Sequence, residues 1–204
     1  MQLFFSAASP YVRKVTVTAH EKGLSDRIEI VSAAASPVNR DQNVVAKNPS
    51  GKVPTLITDD GTALYDSRVI IAYLDSLAPE PVLIPPSGPD RFAVMTLEAL
   101  CDSIMDAALL ARYEEALRPE PLRWADWHKG QMDKVESGLA ALNDLYLPLL
   151  KGPFNLGSIT AVAALGYLGF RFAGLGWQAR YPALAAWWEE IQTRPSVAAT
   201  APKG

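Results

Sequence analysis

Cysteine is almost absent from this chain of 204 residues, where Cys101 is the only one. A single cysteine excludes an intrachain disulfide, a two-cysteine redox centre and a cysteine-rich zinc site. Histidine is nearly as scarce. His20 and His128 lie far apart in sequence, which argues against a histidine metal centre. No run of lysine or arginine is present. Residues 1–78 carry 8 positive and 8 negative side chains and residues 79–204 carry 11 and 14, for a net charge of −3. Neither half offers the basic face that duplex nucleic acid requires. The first apolar stretch is preceded by no positive residue, so no secretory signal is expected. The longest apolar run, 154–170, contains Asn155, Gly157, Gly166 and Gly169 and is short for a membrane span. It reads as a buried helix. The expectation is a soluble, cytoplasmic protein with no metal, membrane or nucleic-acid partner.

What the chain does contain is an ordinary globular balance, 49% hydrophobic and 20% charged. One composition break divides it. Pro79, Pro81, Pro85, Pro86 and Pro89 fall within eleven residues, and no long helix crosses such a stretch. This predicts a first domain over 1–78, a proline-rich linker over 79–88 and a second domain over 89–204. The first domain mixes strands (2–5, 28–31, 55–58, 63–65) with helices over 10–22 and 66–77, the latter amphipathic through Val69, Ile70, Tyr73, Leu74 and Leu77. Gly23 stops the first helix and Asp59-Asp60-Gly61 marks a turn. The second domain reads as all helix over 90–117, 122–150, 158–172 and 182–193.

Three short segments carry candidate chemistry. Ser9-Pro10-Tyr11-Val12 stands where a strand turns into a helix. Serine followed by proline starts a helix well. The same helix start offers free N–H groups and a partial positive charge, and a serine hydroxyl there can donate to an anion such as a thiolate. Ser9 is thus a cap, or a cap that also stabilises an anion, with Ser6 and Tyr11 as close rivals. The spacing resembles the Cys-Pro-Tyr-Cys centre of glutaredoxins, with Ser9 and Val12 in place of the cysteines, so dithiol redox chemistry is removed. Gly51-Lys52-Val53-Pro54-Thr55-Leu56 places a proline just before a strand. A cis bond there leaves the Val53 backbone free to pair with an extended peptide, whereas a trans bond makes an ordinary edge. Asp66-Ser67 stands at a second strand-to-helix switch. Both residues suit a cap; as a recognition pair, the helix start and Ser67 hold a carboxylate while Asp66 attracts an ammonium.

The order and spacing of Ser-Pro-Tyr-Val-Arg-Lys at 9–14, Asn-Pro-Ser-Gly-Lys-Val-Pro-Thr-Leu at 48–56 and Asp-Ser at 66–67 make the chain resemble the soluble bacterial glutathione S-transferases, over nearly its full length. It looks most like members with serine at the catalytic position. The resemblance implies an α/β plus all-α architecture, with a thioredoxin-like amino-terminal domain, a cis-proline at Pro54 and an all-helical carboxy-terminal domain. It implies glutathione as co-substrate in a cleft between the domains. Ser9 then hydrogen-bonds the glutathione sulfur, the Val53 backbone pairs with the cysteinyl part, and Asp66 and Ser67 hold the γ-glutamyl end. Lys52 reaches the glycyl carboxylate, with Arg40 and Lys47 as alternatives.

The implied reaction is attack of bound glutathione, as a thiolate, on a small electrophile. An ordinary thiol has a pKa of about 8.5, and lowering it by about two units takes roughly 2.7 kcal/mol of preferential thiolate stabilisation. One hydroxyl donor plus a helix terminus is of that order. Ser9 is therefore a stabiliser and not the nucleophile. The second substrate is expected against one helical face carrying Asp102, Met105, Asp106, Leu109 and Arg112, beside Cys101 and near Tyr11; Met105 and Leu109 alternatively belong to the core. No residue identifies the electrophile. Trp124, Trp127, Trp177, Trp187 and Trp188 read as packing. Glutathione-dependent thiol lyase or reductase activity uses the same thiolate, and a non-catalytic glutathione-binding protein uses the same fold. The resemblance also implies a homodimer. One departure concerns the core helix: a Ser or Thr followed three residues later by Asp usually starts it, whereas Ser158 is followed by Ile159, Thr160 and Ala161, so the reciprocal half of that cap is missing.

Overall fold

The computed structural model describes residues 1–34 and 36–203, which divide into two compact units. The first unit runs from Met1 to Ile84 and takes in the segment that begins at Arg194. Its elements are β1 (Gln2–Phe5), α1 (Pro10–Glu21), β2 (Glu29–Ser32), α2 (Gln42–Val45), β3 (Thr55–Ile57), β4 (Ala63–Leu64) and α3 (Ser67–Ser76). The sheet order is β2-β1-β3-β4. β1 pairs parallel with β2 through the α1 crossover and antiparallel with β3, and β3 pairs antiparallel with β4. This is the thioredoxin-like arrangement that the sequence led us to expect. Leu3 and Leu56 from the sheet, Val15 from α1 and Ile70, Ile71 and Leu74 from α3 are all fully buried, and α1 packs beside α3. The turn between β3 and β4 needs Gly61 at φ +86, a conformation side chains avoid. The segment between β2 and β3, featureless in sequence, contains α2, capped by Asp41 through the Asn43 amide.

The proline-rich stretch does not leave this unit at residue 78. The Lys22 ammonium is withdrawn from solvent and donates to Asp75 Oδ1 (2.9 Å) and to the Pro81 carbonyl (2.7 Å). Asp75 in turn accepts from the amides of Leu83 and Ile84. A buried ammonium must be paired, and satisfying it pins residues 81–84 to α1 and α3.

The second unit comprises α4 (Gly88–Ala116), a 3-10 turn at Glu120–Leu122, α5 (Ala125–Asp144), α6 (Leu147–Leu150), α7 (Leu156–Arg171), a second 3-10 turn at Ala173–Leu175, α8 (Trp177–Arg180) and α9 (Pro182–Ile191). The single helix expected over 122–150 is two. Pro148 lies in the first turn of α6. Its ring would collide with the carbonyl four residues back, that of Asp144, and α5 ends there. α4 packs against both α5 and α7. Every residue of α7 from Leu156 to Leu168 is buried, and among the described residues no single helix is long and apolar enough to cross a membrane. The missing half-cap at Ser158 has a local explanation. The cap residue is Asn155, whose Oδ1 accepts from the amides of Gly157 (2.8 Å) and Ser158 (3.2 Å). Asparagine caps as well as serine does, so no reciprocal acid is needed.

The chain does not finish its ordered pattern at residue 193. A further helix, α10 (Pro195–Ala199), packs on α1 and groups with the first unit. Glu21 accepts from Arg194 Nε (2.7 Å) and Nη2 (2.6 Å) and from the Ser196 hydroxyl. Arg13 donates to the Val197 carbonyl (3.1 Å), and burial pushes its guanidinium down to about 10. Burial alone raises the Glu21 carboxyl. The hydrogen bonds from Arg194 and Ser196, together with the Arg194 charge, outweigh it and hold the group below its ordinary value. A carboxyl depressed on folding contributes stability above its unfolded pKa, and that contribution is lost as pH falls through the folded pKa. Acidification below about pH 4 is therefore expected to release α10. Hydrogen-exchange protection factors at the amides of residues 197–199 should fall, relative to those of the α3 amides, between pH 6 and pH 3. An equal fall in both places would refute the tether.

Candidate functional site

Sheet register brings the three marked segments to one end of the first unit. Phe4 pairs with Thr55, and Leu56 pairs with Leu64. The exit of β1 towards Ser9, the approach of Val53-Pro54 to β3 and the exit of β4 towards Asp66-Ser67 therefore all lie at the same end of the strands. Val53 packs in one cluster with Phe4, Val12 and Val44, which ties its loop to the first turn of α1.

Ser9 is the cap of α1. Its hydroxyl oxygen accepts from the Val12 amide at 3.3 Å, and Pro10 occupies the first helical position. The half-buried hydroxyl spends only an acceptor site on this bond, so its proton remains to donate. Capping and thiolate donation are compatible. No acidic side chain lies in the first turn of α1 to oppose a negative ligand. Ser6 accepts from the Ser9 amide through its carbonyl, which shapes the turn.

The Val53–Pro54 bond is cis. Among the described residues, no hydrogen bond occupies the Val53 backbone. The loop before it is built by Asn48, a residue the sequence reading had placed only inside a motif. Asn48 is 1% exposed. Its amide donates to the Lys52 carbonyl (3.1 Å) and to Thr55 Oγ1 (2.9 Å), while its oxygen accepts from the Ser50 amide and hydroxyl. The turn chemistry of Asn-Pro-Ser-Gly was the available signal. Gly51 adopts φ +66, and a side chain there would press within 2.9 Å of Arg40 Nε. Arg40 thus lies over Gly51, donating to the Pro49 carbonyl, next to the exposed Lys52. Two cations flank this turn, and Lys52 has no ion pair among the described residues.

Asp66 caps α3, accepting from the Arg68 amide at 3.0 Å through one oxygen. Ser67 is 2% exposed, and neither its hydroxyl nor its amide has an internal partner among the described residues. The arrangement is an open helix start with a hydroxyl and a carboxylate side by side, suited to a zwitterionic amino-acid head.

The profile for the amino-terminal domain of glutathione S-transferases matches residues 8–77, and that for the carboxy-terminal domain matches residues 125–190. The chain belongs to the glutathione S-transferase family. It is 34% identical to the GST-like protein YibF of Escherichia coli K12, over 99% of this chain and 98% of that protein. A glutathione transferase family member from Pseudomonas fluorescens Pf-5, solved with bound glutathione, superposes with a TM-score of 0.98 at 45% identity over 100% of this chain and 99% of that one. Another structure from that organism, at TM-score 0.93, 45% identity and full coverage of both chains, holds S-(propanoic acid)-glutathione.

The residues expected at the second substrate are divided between the units. Tyr11 is half-buried in α1. On α4, Met105 is fully buried and Asp102 nearly so, Leu109 and Arg112 are half-buried, and Asp106 is exposed. Cys101 is buried. The tryptophans also divide. Trp177 and Trp187 are core, whereas Trp124 and Trp127 are largely exposed and stack at 6.4 Å. With Glu114, Arg118 and Leu122 they line a surface pocket of about 310 Å³. Packing therefore explains the first two and not the last two. Among the described residues, no three His, Cys, Asp or Glu side chains gather as a metal-holding group.

Proposed function

We propose that this transferase-family chain binds glutathione on its first unit and activates the sulfur as a thiolate for conjugation to a small electrophile. The observation that carries the reading is the common end of the strands at which the Ser9 cap, the open Val53 backbone and the uncommitted Ser67 helix start emerge. Ser9 donates its free proton to the sulfur, aided by the α1 helix terminus. Val53 pairs through its backbone with the cysteinyl residue, its loop packed against Phe4, Val12 and Val44. Asp66 and Ser67 take the γ-glutamyl head, and Lys52, with Arg40 beside it, takes the glycyl carboxylate. On the second unit, Asp106, Leu109 and Arg112, which reach solvent, contact the electrophile, whereas the fully buried Met105 belongs to the core. The glutathione thioether held by the P. fluorescens relative favours conjugation over reduction.

The test is turnover of a generic aryl halide, a disulfide and a peroxide with glutathione. Conjugation alone supports the proposal, and disulfide or peroxide turnover alone replaces it with a glutathione-dependent reductase. Tight glutathione binding without turnover of any of the three replaces it with a binding protein. A homodimer is part of the same reading. Light scattering at micromolar concentration should return twice the monomer mass, and a monomer mass removes that part.

A further inference from the structure

Two arginines of the second unit stand together without an acid. Arg112 projects from α4 and Arg171 from the last turn of α7, and these two helices pack against each other. Arg112 and Tyr113 on α4 and Tyr167 and Arg171 on α7 are carried by two helices in direct contact, and the Arg112 charge reaches the other three groups. Tyr167 and Arg171 lie one helical turn apart on the same face of α7. Tyr167 is 3% exposed and its ring meets Phe172 edge-on at 6.5 Å, while the Arg171 guanidinium stacks on Phe170 at 3.9 Å. Aromatic packing thus holds these groups in place.

What is missing is a counter-charge. Among the described residues, neither Arg112 nor Arg171 makes a hydrogen bond or an ion pair. No carboxylate acts on Tyr113, Tyr167 or Arg171. Both arginines are half-buried. Partial withdrawal from water strengthens the repulsion between like charges. The carbonyl end of α7 offsets part of the Arg171 charge, since a cation suits a helix carboxy terminus, but it does nothing for Arg112. Two forked donors and two phenol hydroxyls with no internal acceptor are the donor types that a planar anion takes.

We propose that Arg112 and Arg171, with the hydroxyls of Tyr113 and Tyr167, bind a carboxylate, and that the second substrate is a small electrophile bearing a carboxylic acid. The second clause rests on the transferase reading given above. With 4-(chloromethyl)benzoate, glutathione thiolate attacks the benzylic carbon, the C–S bond forms, and the C–Cl bond breaks with chloride leaving on its electron pair. The carboxylate stays intact and offsets one of the two arginine charges.

The experiment compares 4-(chloromethyl)benzoate with the neutral 4-(chloromethyl)benzamide on the full chain. Wild type should favour the benzoate in kcat/KM by about tenfold or more, the scale of one charge-assisted hydrogen bond. Arg112→Gln and Arg171→Gln should each bring that ratio down towards one. A wild-type ratio near one overturns the proposal without any variant, and so does a ratio that neither substitution changes. Binding of the unreactive pair 4-methylbenzoate and 4-methylbenzamide, measured by calorimetry, separates the two levels of inference. If nothing is conjugated but the benzoate alone binds and Arg112→Gln abolishes it, the anion site stands and the transferase reading fails. If both bind alike, or neither binds, the anion site is wrong.

Discussion

Replacing Ser9 with alanine is expected to raise the pKa of bound glutathione by about one to two units. A hydrogen bond to a charged group is worth about 1.5–3 kcal/mol, and one unit corresponds to about 1.4 kcal/mol. At neutral pH the thiolate fraction, and with it the conjugation rate, should fall by about threefold to twenty-five-fold, since a bound thiol lowered by two units is already mostly ionised. Higher pH should restore part of the rate. Stability should change much less. The cap contact to the Val12 amide is long, at 3.3 Å, so its loss belongs near the low end of the 0.5–2 kcal/mol range for caps. The decisive measurement is thiolate absorbance of the glutathione complex against pH. If wild type and Ser9→Ala titrate alike, the hydroxyl is a cap and nothing more, and activation must come from the helix terminus or from Tyr11.

The second large effect is expected at Asp66, where charge and capping can be separated. Asparagine caps a helix as well as aspartate does, so Asp66→Asn keeps the bond to the Arg68 amide and removes only the negative charge. Thermal stability should hold, while glutathione binding should weaken by about tenfold to a hundredfold if the carboxylate faces the γ-glutamyl ammonium. Adding Ser67→Ala removes the uncommitted hydroxyl and should deepen the loss. Calorimetric binding within twofold of wild type in the double variant would remove the head-group assignment. A drop in melting temperature with unchanged affinity would assign Asp66 to capping alone.

Much of this was legible along the chain because it depends on local chemistry. A Ser-Pro pair starts α1, an Asp-Gly turn joins β3 to β4, and Ile70 and Leu74 of the apolar stripe of α3 are buried, although its Val69 is exposed and Ile71 is buried instead. The break between α5 and α6 was equally local, since Pro148 forbids the helix, yet apolar spacing on both sides concealed it. The cap of α7 is Asn155 and not Ser158 three residues later, because both are capping types and only backbone geometry chooses between them.

What tertiary structure alone decided lies at long range. Glu21 and Arg194 are 173 residues apart, and nothing in either neighbourhood announces that α10 returns to α1. The burial of Lys22 and its pairing with Asp75 and Pro81 move the end of the first unit to Ile84. The site itself has this character. Ser9, Val53 and Ser67 were each marked by sequence, but their common position is a property of strand register, Phe4 against Thr55 and Leu56 against Leu64. The Arg112–Arg171 pair was half visible. Arg112 lay on a noted helical face, but an arginine in the last turn of a helix reads as a dipole partner until packing brings a second one beside it. Sequence determined which chemical groups this protein possesses and where its elements start. Only packing decided which groups meet, because hydrogen bonds and charges act across a few ångströms of space whatever their separation along the chain.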